Sequence, residues 1–375
     1  MLFCCAEARS EISGPPIVDN NYNLDLRQGP IVGSARQVAL GGAYIAVAEG
    51  ITSLSSNPAG VAFRLERSTT KFDWDWTIGV NDLKSNNFDN NGESPPEYKT
   101  HRIRSLGLMG QYGPWGVGIL NNAEILSLEG LASGDDEYVL SATTLALGRQ
   151  FLGRELTVGV GARATMTKVQ TKLFDRTVGK ISGIGWEVGG LWNPERGPFR
   201  FGASYTSSIS SKQSLDTTSG APPITINGLI IPKQVVLPST FGVGMSYAVD
   251  SAPFWKGHKW MVASDLLYTA SSENAVGVES VLVQKIQYVG THDTTGVRLG
   301  SELETLPGRL RLRLGSYYEP SNYEGVPSRT HLTGGFEVRA FHTSIWGEHD
   351  WNLTFTVDSA REYLNMLVAV GFWYF

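Results

Sequence analysis

The run Phe72-Asp73-Trp74-Asp75-Trp76-Thr77-Ile78-Gly79-Val80 carries an apolar side chain at every even position and a polar residue or glycine at every odd one. A period of two marks an extended strand whose two faces meet different surroundings. In a water-soluble sandwich the apolar face would meet a second sheet. In a barrel wall it would meet lipid, so this segment alone leaves both open.

The number of such segments and the gaps between them decide. Alternation punctuated by turn residues predicts fourteen strands. They lie near 68–80, 101–113, 115–128, 138–151, 155–173, 182–193, 199–210, 239–249, 259–269, 295–304, 309–318, 330–341, 348–358 and 362–375. Connections at 81–100, 129–137, 174–181, 211–238, 270–294 and 319–329 are each longer than the connections on either side of them. They alternate with short ones at Pro114, 152–154, 194–198, 250–258, 305–308 and 342–347, and only the connection at 359–361 breaks the order. An up-and-down barrel of a bacterial outer membrane has short periplasmic turns and long outer loops, whereas a sandwich has no reason to sort loops by parity. The expected fold is therefore all-β: a transmembrane antiparallel β-barrel of about 14 strands over 67–375, with an N-terminal plug over 9–66. The strand-like stretch 276–289, inside a predicted outer loop, reads as an extension of its neighbours or an extra strand pair.

Composition fits. No run of eighteen apolar residues exists, which excludes a helical span. The mean hydropathy of -0.12 resembles a soluble protein only because lipid-facing and lumen-facing residues cancel in every window. The charged fraction is 18%, and the net charge of -5 supplies no basic field for nucleic acid. Both cysteines, Cys4 and Cys5, are adjacent at the N-terminus, so the body of the chain holds no disulfide or thiolate metal site. Residues 1–8 end in Ala6-Glu7-Ala8 and read as the remnant of a signal peptide. The alternatives are an ordinary terminus or a lipid-bearing cysteine pair.

Seven tryptophans, Trp115, Trp192, Trp255, Trp260, Trp346, Trp351 and Trp373, fall beside short connections or the chain end, as an interfacial belt requires. Trp74, Trp76 and Trp186 are expected deeper in the wall. The terminal Phe375, with Phe372, Trp373 and Tyr374 before it, resembles the form by which the outer-membrane assembly machinery recognises a last strand.

Ahead of the first strand, small residues dominate Gly33 to Ala62, so backbones can approach closely, and Pro58 after Asn57 fixes a turn. A segment this short cannot build its own core and is best satisfied by packing inside the lumen. Its series Ala35-Arg36, Gly41-Gly42-Ala43, Ala46-Val47-Ala48 and Asn57-Pro58-Ala59-Gly60 resembles the N-terminal hatch of the FadL-type outer-membrane transporters for long-chain fatty acids and aromatic hydrocarbons. Further echoes are Leu237-Pro238-Ser239, Ala263-Ser264-Asp265, Val297-Arg298-Leu299-Gly300 and Leu314-Gly315-Ser316-Tyr317, so the likeness runs from about Ser34 to Phe375. Gln37-Val38-Ala39-Leu40 and Ile51-Thr52-Ser53-Leu54 depart from the usual pattern.

The resemblance implies a hatch gated through Arg36, Gly41, Gly42, Asn57, Pro58 and Ala59, with its first residues near the periplasm or in the lumen. It also implies a kinked third strand, expected at Asn121-Asn122. The outer loops supply apolar candidates for a ligand groove: Leu83 and Phe88, then Ile224, Ile226, Leu229, Ile230 and Ile231. The expected partners are outer-membrane lipid and a hydrophobic small molecule. Relatives in the same superfamily include a shuttle barrel of type IX secretion, so a scaffold with an envelope protein partner is the alternative. No cofactor, metal or catalytic residue is expected. His349-Asp350 reads as a solvated turn pair; Asn87, Asp89 and Asn91 before Gly92 alternate as the first half of a calcium loop would, but Asn87 stands for the leading Asp and Tyr98 for the closing glutamate, so a mobile external loop is expected there.

Overall fold

The computed structural model describes residues 14–27, 29–63, 71–85, 87–92, 98–128, 136–171, 176–194, 197–212, 225–226, 229–344 and 348–372. Among them fourteen antiparallel strands close into one barrel. After a short first strand β1 (Asn23–Asp25), the wall begins with β2 (Phe72–Ser85), β3 (Tyr98–Tyr112), β4 (Trp115–Leu128), β5 (Asp136–Phe151), β6 (Leu156–Thr171), β7 (Arg176–Trp192) and β8 (Phe199–Thr206). Four short strands follow: β9 (Ile209–Lys212), β10 (Thr225–Ile226), β11 (Leu229–Ile230) and β12 (Gln234–Leu237). The wall resumes with β13 (Thr240–Val249) and β14 (Trp260–Thr269). Past β15 (Ala275–Val276) it is completed by β16 (Thr294–Leu306), β17 (Leu310–Glu319), β18 (Arg329–Ser344), β19 (Glu348–Ala360) and β20 (Tyr363–Phe372).

Closure is made by β2 against β20, with Thr77 opposite Gly371 and Ser85 opposite Tyr363. The ladder runs all the way round, as hydrocarbon requires, except along the outer part of β7, where β8 ends early. The alternation in β2 sorts as its sequence demands: Ile78 and Val80 are exposed outward, while Asp75, Thr77 and Asn81 are buried inward. The same skin continues through Leu106, Leu108, Val117, Ile119, Leu145 and Leu147, all exposed. An apolar outer face with polar residues turned in suits a wall that meets lipid.

Among the described residues, the short connections after β3, β5, β13 and β16 lie at one end and the long ones after β14 and β17 at the other, where the turn at Arg361-Glu362, with Glu362 at a φ of 59°, is tight. Trp74 and Trp76 do not lie deep in the wall. Because β2 starts at Phe72 rather than near 68, both sit close to the short-turn rim, where Trp76 packs edge-on 5.0 Å from Trp351 and 6.0 Å from Phe372. Trp346, Trp373, Phe375 and residues 1–8 lie outside the described residues.

Residues 14–30 lie among the long connections, not at the short-turn end. There β1 pairs in parallel with both β12 and β15, and β12 pairs with β9, forming a small sheet across the barrel mouth. From this sheet the chain descends through the lumen. Ser34 caps the helix α1 (Ala35–Ala39) by accepting from Gln37 N, and two 3₁₀ turns follow at Ile51–Ser55 and Pro58–Val61. From Gln37 to Gly50 every residue is buried.

Small residues on both sides make this packing close. A Cβ added at Gly116 would fall 2.0 Å from Val61 O, and one at Gly159 2.4 Å from Ala59 N and Pro58 C. At Gly315 it would meet Gly41 N at 2.2 Å. Gly41 itself, at a φ of 59°, has wall backbone within 2.7 Å of its own missing Cβ. These glycines are where segment and wall touch backbone to backbone. Gly159→Val is expected to cost about 1–3 kcal/mol through overpacking, read as a lower thermal unfolding midpoint in detergent. An unchanged midpoint would mean the segment yields freely.

Three further features differ from the sequence reading. The third wall strand, β4, is not kinked: Asn121 and Asn122 stand in unbroken register with Leu106 and Ser105 on one side and Thr143 and Ala142 on the other. The outward Asn121 is satisfied along the sheet, donating to Ser141 Oγ and Thr143 Oγ1 at 2.8 Å each, and the inward Asn122 accepts from Ser105 Oγ at 2.7 Å. Neighbouring hydroxyls thus remove the cost that would have favoured a break.

The seventh strand stops early. β8 pairs with β7 only from Glu187 to Trp192, and its chain then turns inward, with Ile209 seated over Gly183 and Gly185. Finally, the stretch 276–289 is not a strand pair. It holds the end of β15 and then the helix α2 (Val278–Val283), whose spacing lets Val278 and Val281 pack on the apolar cap cores.

Candidate functional site

The inner segment is held by charge as well as shape. Arg36, at the start of α1, donates to Glu302 at 3.0 Å and also pairs with Glu49. Arg313 donates to the same Glu302 at 2.6 Å and pairs with Glu337. Isolated charges buried to this extent would be expensive, so the alternation of cations and anions is what permits them. Wall side chains also satisfy the segment's backbone. Asp265 accepts from Tyr44 N and Ile45 N at 2.7 and 2.8 Å, and Asp75 accepts from Ile51 N at 2.7 Å. Asn57 Nδ2 donates to Ile45 O at 3.0 Å and to Gly190 O at 3.1 Å, while its Oδ1 accepts from Ala59 N at 3.1 Å.

The proposed gate residues are therefore brought together on one buried segment. Arg36 and Asn57 anchor it by side chain, and Gly41, Gly42, Pro58 and Ala59 by close packing. Two partners escaped sequence reasoning: the inward carboxylates Asp265 and Asp75. Asp265 stood in the family-like run Ala263-Ser264-Asp265 with no role attached, and nothing local distinguished Asp75 from the other inward polar residues of a barrel.

Above the segment and below the outer connections lies a cavity of about 290 Å³. Its walls mix Leu140, Leu237, Leu267 and Tyr317 with Arg27, Arg163, Arg298, Glu124, Glu187 and Glu319. Leu26, Ile31 and Ile45 of the N-terminal segment form its floor and one side.

None of Leu83, Phe88, Leu229, Ile230 and Ile231, expected to line a groove, borders this cavity. Leu83 and Phe88 are buried with Ile103 and Tyr363. Ile231 packs with Leu24, Leu26 and Val235, and Ile230 against Ile17, Tyr22 and Val276. Leu229 pairs with Ile226 in a two-rung hairpin, and Ile224 lies outside the described residues, as does the side chain of Ile226. The loops spend their apolar residues on a cap over the mouth, stitched to the N-terminal strand. Of the kink candidates, Asn122 does line the cavity.

The half calcium pattern is turned to the cap as well. Asn91 N donates to Asn87 Oδ1 at 3.0 Å, Asn91 Nδ2 to Glu279 at 2.5 Å, and Tyr323 OH to Asp89 at 2.5 Å. Burial pushes the Asp89 carboxyl up to about 6 and raises Asp25 beside it in the cap. A carboxyl raised on folding contributes stability that is full below its unfolded value and lost as the pH climbs through about 6. Amide protection factors across 87–92 and 320–326 are therefore expected to fall about tenfold or more between pH 5 and pH 8. Asp89→Asn should flatten most of that dependence, and a cap equally protected at both values would contradict it.

His349 and Asp350 point to opposite faces, as adjacent strand residues must. His349 stacks outward on Phe372 at 4.2 Å, and Asp350 accepts from Arg339 at 3.1 Å.

No protein-family profile and no curated protein matches the sequence. Solved structures do match the fold. A monoaromatic hydrocarbon channel, CymD, aligns over 91% of this chain and 96% of its own at a TM-score of 0.57 and 14% identity. A mutant of the monoaromatic hydrocarbon channel TodX aligns over 92% and 98% at a TM-score of 0.52 and 14% identity. A FadL homologue from Pseudomonas aeruginosa aligns over 94% and 98% at a TM-score of 0.52 and 10% identity. This chain therefore shares its overall fold with these three structures over about nine tenths of its length.

Proposed function

We propose that this protein is an outer-membrane channel for small, largely hydrophobic molecules, of the fatty-acid or hydrocarbon kind, gated by its inner segment. One observation carries the reading: a lipid-compatible barrel is filled by its own N-terminal segment, yet keeps a partly apolar chamber on the loop side of that filling. A general porin would leave a water-filled pore, and a purely structural barrel has no use for a chamber. The likeness in fold to hydrocarbon channels adds support.

The chamber also suggests how an apolar solute leaves. Thr206, Leu237 and Glu187 line it where β8 departs from the wall. Among the described residues, no strand bonds the edge of β7 from Arg176 to Gly185 that faces away from β6. A solute passing there would enter the bilayer sideways, without crossing the inner segment. The route at Asn121-Asn122 plays no part.

The test is uptake of a radiolabelled apolar solute by cells lacking their own channels. Expression of the full chain should raise the initial rate several-fold over the empty vector. An unchanged rate, with stoichiometric copurification of another envelope protein, would replace this reading with a scaffold.

A further inference from the structure

Of the six charged groups facing the chamber, four have protein partners. Glu124 bonds His101 at 2.5 Å, and Glu319 bonds both Arg329 and His331, at 2.7 and 2.6 Å. Arg27 donates to Thr294 at 2.7 Å, and Arg298 to Gly42 O at 3.4 Å. Arg163 and Glu187 are different. Their strands place them as inward diagonal neighbours, with Arg163 opposite Gly185 and Glu187 opposite Gly161. Among the described residues neither makes a hydrogen bond or an ion pair within 4.0 Å, with each other or with any third group.

Glu187 is only 6% exposed, and its Oε1 has no partner. A buried carboxylate oxygen left so is costly, and a donor on a ligand would relieve it. Beside it the Arg163 guanidinium offers several unused N–H donors, the geometry that takes a carboxylate. Around the pair, Leu140, Leu237 and Leu267 supply apolar surface.

We infer that the chamber takes amphiphiles with a zwitterionic head, an apolar body carrying a carboxylate next to a protonated amine. The carboxylate sits on Arg163, the ammonium N–H on Glu187, and the body lies on the leucines. Arg163 and Glu187 attract one another across the diagonal, but a hydrocarbon would leave both without a hydrogen-bonding partner, and a simple carboxylate would leave Glu187 as it is. The inference rests on the channel reading, keeps its apolar body and replaces the plain fatty-acid or hydrocarbon head by a zwitterion.

The experiment is equilibrium binding to the purified full chain in a non-ionic maltoside detergent, by calorimetry at neutral pH. The probes are α-aminooctanoic acid, octanoate, octylamine and octanol, which share a chain and differ in the head. The zwitterion should bind about tenfold or more tightly than each of the others, the size of one charge-assisted hydrogen bond. Arg163→Gln should reduce its binding to the level of octylamine, and Glu187→Gln to that of octanoate. Octanoate binding as well as the zwitterion, or octanol binding as well as either, overturns the inference, as does the absence of binding by all four. Should either variant fail to fold, judged by its heat-modifiable migration on gels, the four probes on the natural chain decide alone. Uptake of apolar solutes is measured separately, so a failure here leaves the channel reading standing, and a failure there without loss of binding does the reverse.

Discussion

A variant beginning at Arg64 conducts ions across a planar bilayer about tenfold or more better than the full chain, because what fills the lumen is the segment removed. The wall does not depend on that segment for its ladder: β2 closes on β20, and every wall strand bonds its two neighbours. What the deletion takes away is the continuous buried run from Gln37 to Gly50 and the turns at Ile51–Ser55 and Pro58–Val61. It also bares inward glycines such as Gly116, Gly159 and Gly315, which have no side chains to refill the space. Single-channel recording reads the outcome, with heat-modifiable migration as the control that the barrel has closed. Conductance equal to that of the full chain would show that the segment does not occlude.

Arg36→Ala is expected to cost about 3 kcal/mol, seen as a lower urea midpoint. The charge it removes lies between Glu302 and Glu49. Glu302 keeps Arg313, but the nearest cation left to Glu49 is Arg200, at 3.9 Å. A buried anion left with so distant a partner is the costly part, so Glu49→Gln in the same chain should recover roughly half of the loss. Arg36→Lys keeps the charge without the fork that spans two carboxylates and should fall between. Because the anchor sits at the head of the segment, the alanine variant should also show brief openings in planar bilayers. A variant as stable and as silent as the natural chain would remove Arg36 from the anchor.

The line between what was legible in the sequence and what was not follows a physical boundary. Phe72 to Val80 declared an extended strand with one apolar face, and the parity of loop lengths declared that such strands close on one another. All fourteen predicted strands are in the wall, within several residues of their expected bounds. These signals are local: alternation and turn chemistry act over a handful of residues. The packing of the Ala35 to Gly60 series inside the lumen was legible for a similar reason, since so many small residues can be buried only against another backbone.

What the tertiary structure alone decided is where the chain meets itself across long separations. Asn121 looked like a reason for the third strand to break, until Ser141 and Thr143 proved to satisfy it. The apolar loop residues around Ile230 looked like a groove and instead cap the mouth against Ile17 and Tyr22, some two hundred positions away. Asp265 and Asp75, to which the sequence attached no role, became the acceptors for the segment's buried amides. A strand's period is written in adjacent residues, so the sequence by itself determined a closed, lipid-facing wall. The chamber, its unpaired Arg163 and Glu187, and the early end of β8 depend on which surfaces remain after distant groups have satisfied one another, and only the folded chain settles that.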